Sequence, residues 1–145
     1  MRRKNTTTEM MMGYMCSALL ELMLEKDYAK ISIGEIAKKA GVDRSSYYRH
    51  FKSKEDIISF FFDMVLKESL DGFTNLSSID FTLYIHSIYM AFYNYKKEVL
   101  LIYRSNLSSL LLDVLSKRFQ FSEIAIEFPL TKQYELSYII GGIYN

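Results

Sequence analysis

The 145-residue chain has one cysteine, one proline and no tryptophan. A lone Cys16 excludes an internal disulfide and a thiolate metal cluster, which fits a reducing compartment and leaves the thiol to behave as a small buried apolar group. With only Pro129 to interrupt it, almost the whole chain is free to be helical. His50 and His86 lie far apart in sequence and form no recognisable ligand pattern with Cys16, so no metal is expected. Long apolar runs are missing as well. The stretch IISFFFDMVL, 57–66, is interrupted by Asp63 and falls well short of the roughly 20 apolar residues a membrane-spanning helix needs. Near the N-terminus, Glu9 and the helical pattern after it leave no signal-peptide core, so the expected location is cytoplasmic, with no membrane partner. Ser, Asp, His and Glu occur without a nucleophile, oxyanion or metal motif, which argues against an enzyme and requires no cofactor.

Half of the residues are apolar, enough for one substantial core. Charge is balanced overall, with 18 basic and 17 acidic residues, but it is unevenly spread. Up to Lys54 there are 11 basic and 6 acidic residues, a net of +5, and from Glu55 onward there are 7 and 11, a net of −4. The first third is therefore suited to approach a polyanion. Charge alone does not choose between nucleic acid and an anionic membrane.

Apolar spacing predicts helices throughout and no persistent strand alternation. Met11, Met15, Ala18, Leu19 and Leu22 draw one stripe on a first helix ending near Lys26 and Asp27. Ser32-Ile33-Gly34-Glu35 is a capping box that starts a second, short helix with Ile33, Ile36, Ala37 and Ala40 on one face, stopped by Gly41. Asp43 is placed to cap a third helix ending near Phe51. Ser53 to Asp56 resembles a second capping box, opening a fourth helix with a stripe of Ile57, Phe60, Phe61, Met64 and Val65 that leaves the core near Asp71-Gly72. Further helices are expected from Asp80, over Glu98 to Arg104, around Leu110 to Phe119, and after Pro129.

Two short helices joined by Ala40-Gly41-Val42-Asp43 make a helix-turn-helix, whose second helix fits a DNA major groove about 12 Å wide. Arg44, Ser45, Ser46, Tyr47, Arg49 and His50 are expected to project outward from it. Arg44 and the two serines, near the helix start, are candidates to read base edges, and Tyr47 to meet a thymine methyl or a phosphate. Tyr48, His50 and Lys54 suit phosphate oxygens, as a phenol, an imidazole and a cation beside the free amides of the fourth helix. So short a reading helix covers only a few base pairs, which implies a dimer.

From about Met11 to Phe62, ISIGEIAKKAGVDRSSYYRHFKSKEDII and the helix before it resemble the DNA-binding domain of the TetR family of dimeric transcription regulators, mostly repressors. Ile33, Ile36, Ala37, Ala40, Gly41 and Val42 match its second-helix and turn positions, and Tyr48, Phe51, Ser53 and Lys54 match its signature. The resemblance implies that Ser32 meets a phosphate, that Tyr48, His50 and Lys54 add backbone contacts, and that Arg44 to Tyr47 fall on variable reading positions. It also implies a ligand-responsive repressor acting as a homodimer on a double-stranded DNA operator, with an unidentified small-molecule effector.

The expected architecture is all-α: a three-helix helix-turn-helix DNA-binding domain over 1–55, then a helical dimerisation and ligand domain over 56–145. In that second domain His86, Tyr89, Met90, Tyr93 and Tyr103 are candidates to line a ligand cavity, with packing in the core as the other reading. The chain stops at GGIYN within an apolar helical run, where the family usually continues, so the second domain is expected to be incomplete or to have a reduced dimer interface. A helical adaptor or coactivator binding a protein partner is the alternative function.

Overall fold

The structure, a computed structural model, describes residues 2–70 and 81–121. Among them the chain is all-α, with no strand: α1 (Arg2–Glu25), a 3₁₀ turn (Tyr28–Lys30), α2 (Ile33–Ala40), α3 (Arg44–His50), α4 (Lys54–Leu70), α5 (Phe81–Asn94), α6 (Lys96–Arg104) and α7 (Ser109–Phe121). The helix expected after Pro129 and the Asp71-Gly72 terminus lie outside the described residues. The chain divides into two compact units, Met1–Phe61 with Lys97–Asn106, and Phe62–Lys96 with Leu107–Asn145.

In the first unit, α2 packs on α1 and on α3. The stripe on α1 is buried through Met15, Ala18, Leu19 and Leu22, with Met11 only half-buried, and it widens to take in Cys16 and Met23. Burial pushes the Cys16 thiol up to about 12, so it stays neutral. From α2 the core receives Ile36 and Ala37, while Ile33 and Ala40 are only half-buried at its margin. A fully enclosed side chain the size of Ile36 contributes about 1.5–3 kcal/mol, and an alanine methyl such as that of Ala37 about 0.8 kcal/mol.

Helix α4 carries two adjacent rows where the sequence pattern suggested one. Ile57, Phe61 and Val65 are buried as expected, and Ile58, Phe62 and Leu66 are buried beside them, whereas Phe60 and Met64 are half-buried. The two rows advance by four residues each, so together they cover the broad face of a helix enclosed along its length. In the second unit, Ile88 and Ala91 of α5 and Val114 and Leu115 of α7 are buried. Phe92 lies 6.2 Å from Phe62, and the Tyr95 hydroxyl donates to Glu68 at 2.8 Å.

Candidate nucleic-acid interface

The start of α2 is fixed by its own sequence. The Glu35 amide donates to Ser32 Oγ at 3.3 Å, and the Glu35 carboxylate accepts from the Ser32 amide at 2.9 Å and from its hydroxyl at 2.8 Å, completing the expected capping box. Lys26 of α1 pairs with the same carboxylate. The Lys26 hydrogen bond, followed by those from the Ser32 backbone and side chain, holds the Glu35 carboxyl down at about 2. Ser32 is exposed, but its hydroxyl proton is committed to Glu35. The groups it leaves for an anion without breaking the box are the free first-turn amides of α2.

Gly41 ends α2 in the left-handed region, with φ 67° and ψ 31°, and the Val42 amide returns to the Ala37 carbonyl at 3.0 Å. The chain thereby reverses into α3. Asp43 occupies the N-cap position as expected, and its carbonyl accepts from Ser46 at 2.9 Å, but its side chain makes no capping bond.

Helix α3 has two unlike faces. Tyr47, expected to point outward, is fully buried, with its ring 6.0 Å from Phe51, which in turn lies 6.0 Å from Phe60. Burial, with the nearby Asp56 and Glu55 charges, pushes its phenol up to about 12, and its hydroxyl has no hydrogen-bond partner. Tyr47 is therefore an anchor of α3 with no surface to offer DNA. Tyr48, one residue on, is turned out at 55% exposure, edge-on to Tyr47 at 5.3 Å. Its hydroxyl accepts from Arg44 Nη2 at 3.0 Å, so the guanidinium lies along the exposed face of α3. Ser45 and Arg49 are exposed, and Ser46 and His50 are half-buried. The Nε2 atom of His50 is enclosed without a partner, so that nitrogen reaches a phosphate only if the ring turns.

The α4 start is a second capping box, built with aspartate: Asp56 accepts from the Lys52 and Ser53 amides at 2.7 and 3.1 Å, and its own amide donates to Ser53 Oγ at 3.3 Å. Lys54 behaves differently from the expected free cation. Its ammonium donates to the carbonyls of Tyr28 at 2.7 Å and Ile31 at 2.9 Å, and it sits 4.4 Å from the Tyr28 ring centroid. The neighbouring Lys52 is exposed and was not among the expected contacts, nor was Arg49. Position beside a capping box was the available signal for Lys52, and position on the open face of α3 the signal for Arg49.

His86, Tyr89, Met90, Tyr93 and Tyr103 are all exposed. Tyr89 and Tyr93 stack at 6.2 Å on the surface of α5. A hollow of about 530 Å³ in the first unit, lined by Met23, Lys26, Tyr28, Leu101 and Arg104 among others, includes none of the five. Among the described residues no cluster of three or more His, Cys, Asp or Glu side chains is placed to hold a metal ion, and no single helix is long and apolar enough to cross a membrane.

Residues 16–59 match the family described as bacterial regulatory proteins, tetR family. The HTH-type transcriptional regulator EthR of Mycolicibacterium smegmatis is 37% identical over 54 residues, which are 37% of this chain and 25% of that protein. The uncharacterized HTH-type transcriptional regulator YxbF of Bacillus subtilis is 34% identical over 62 residues, 42% of this chain and 16% of that protein. The chain thus spans a quarter or less of the length of these relatives. No solved structure matches it significantly. The matched segment holds the end of α1, both helices of the turn motif and the start of α4, so residues 16–59 are similar, element by element, to the N-terminal helix-turn-helix domain of the TetR family.

Proposed function

We propose that the chain is a sequence-specific DNA-binding transcriptional regulator that acts as a homodimer in the cytoplasm. The observation that carries this reading is the division of α3 into a buried anchor face, Tyr47 with Phe51 beyond it, and an open face bearing Arg44, Ser45, Tyr48 and Arg49. A helix held so firmly from behind presents its polar side to a groove without rearrangement. In this reading Arg44 and Ser45, with half-buried Ser46, read base edges, while Tyr48 and the α2 start at Ser32 meet phosphates and His50 joins them once its ring turns.

A seven-residue reading helix is about 10 Å long and covers a few base pairs, which supports two copies on a near-palindromic operator. Repression controlled by a small effector rests on the family resemblance alone, since the five candidate ligand residues are exposed. Selection from genomic DNA fragments with the full chain, followed by competition at physiological salt, tests the reading. The expected product is a fragment with two half-sites roughly one helical turn apart. A folded, dimeric protein that retains no preferred fragment sinks it.

A further inference from the structure

A lysine in the first turn of a helix is electrostatically out of place, because the unpaired amides there already make that end positive. Lys54 is the first residue of α4. Glu55 and Asp56 follow it and favour the same helix end, yet the Lys54 ammonium donates to backbone carbonyls 23 and 26 positions earlier. An external phosphate is one way to satisfy such a cation. The structure supplies another from within the domain.

The ammonium has three protons to donate. Two go to the carbonyls of Tyr28 and Ile31, at 2.7 and 2.9 Å, and the Tyr28 ring lies beneath the charge at 4.4 Å. These carbonyls bracket the 3₁₀ turn, since Tyr28 opens it and Ile31 is its C-cap. The Tyr28 carbonyl also accepts from the Ile31 amide at 3.2 Å, so Lys54 and the turn converge on one oxygen. Ile31 is itself buried, and the next residue is Ser32, the N-cap of α2. Lys54 therefore bridges the beginning of α4 to the backbone immediately before α2, across 23 to 26 positions of sequence.

We propose that Lys54 is a positioning residue, an internal strut that fixes the start of α4 against the α2 N-cap and does not itself neutralise a DNA phosphate. The proposal rests on the DNA-binding reading for its consequence but not for its geometry. Each helix start is the positive end of its helix, and the strut sets the spacing between the two. Losing it weakens binding to every sequence alike, because the misplaced groups are those that meet backbone and not bases. The number of phosphates neutralised stays the same.

The test uses the full chain, Lys54→Met, which keeps the stem and removes the ammonium, and Tyr28→Leu, which removes the ring but leaves the lysine charge. Each is measured in two ways: amide hydrogen exchange at Ile31 without DNA, and affinity across a salt series for the fragment selected by the wild type and for an unrelated one. Lys54→Met is expected to speed Ile31 exchange and to weaken both DNA affinities by roughly tenfold, the scale of one charged hydrogen bond. Its log–log salt slope should equal that of the wild type. Tyr28→Leu should shift both readouts in the same direction by less, again at constant slope.

A slope reduced by about one unit in Lys54→Met, with Ile31 exchange unchanged, overturns the strut and makes Lys54 a direct phosphate contact. Unchanged exchange in both variants overturns it as well. A wild type that selects no DNA overturns the DNA-binding reading instead. In that case faster Ile31 exchange in Lys54→Met still supports the strut.

Discussion

Arg44 and Arg49 on α3 face water, and so do Tyr89 and Tyr93 on α5, but the two helices differ in what that exposure means. On α3 the charged groups are hydrated and the aromatic anchors, Tyr47 and Phe51, are inside. On α5 two tyrosines stand at the surface: Tyr89 is 63% and Tyr93 50% exposed, with Leu83 at 60% on the same helix. The α5 rings shelter locally, by stacking on each other and by the Lys96 ammonium lying 4.5 Å from the Tyr93 ring. Tyr47 and Phe51 are thus shielded by burial on α3, where Tyr48 alone of the aromatics stays outside against Arg44, while Tyr89 and Tyr93 of α5 are shielded only by pairwise contact. Burial, more than residue type, should decide how each position responds to change.

The largest expected contrast follows directly. Phe61→Ala, in the buried face of α4, should destabilise the chain by about 3–5 kcal/mol, whereas Tyr89→Ala should stay within about 0.5 kcal/mol. Urea unfolding of the two variants measures both, and similar losses would erase the distinction between the enclosed and exposed aromatics. Next in size is Arg44→Ala, expected to leave the fold intact and remove about 1–3 kcal/mol of discrimination at one base pair, as seen by selection on a randomised DNA library. An unaltered preferred motif would take Arg44 out of the reading set.

Gly41→Ala comes third. The left-handed φ of 67° penalises a Cβ although no atom lies within 4 Å of where it would stand, so the cost should be about 1–2 kcal/mol and arise from the backbone alone. Full wild-type stability in thermal unfolding would mean that the turn relaxes without strain. The smallest effect concerns pH. Glu35 is held at about 2 against an ordinary 4.5, so its contribution to stability is complete above about pH 4.5 and is lost as pH falls toward 2. A side-chain carboxyl titration by NMR should find the midpoint well below that of an exposed glutamate, and Lys26→Ala should raise it.

Much of the first unit was legible because its signals are local. The Ser32 and Ser53 boxes act over three residues, and Gly41 sits where a helix must reverse, so the helix starts and the turn could be placed by spacing. Adjacent aromatics were harder. Tyr47 and Tyr48 are about 100° apart on the helix and chemically alike, and the clue separating them is Phe51, four residues beyond Tyr47 and on its face. The partners of Lys54, 23 and 26 residues earlier, leave no periodic trace, and the 3₁₀ turn that carries them has no sequence signature. The exposure of His86, Met90 and Tyr103 likewise depends on what surrounds each helix, which apolar spacing along that helix does not encode.

The enclosed Cys16 makes the chain its own unfolding clock. It is the sole thiol in the sequence, and it is neutral and shut away in the centre of α1, so an alkylating reagent has nothing to attack until that helix lets go. The rate of labelling then counts openings of the domain, with no probe to introduce and no second site to subtract.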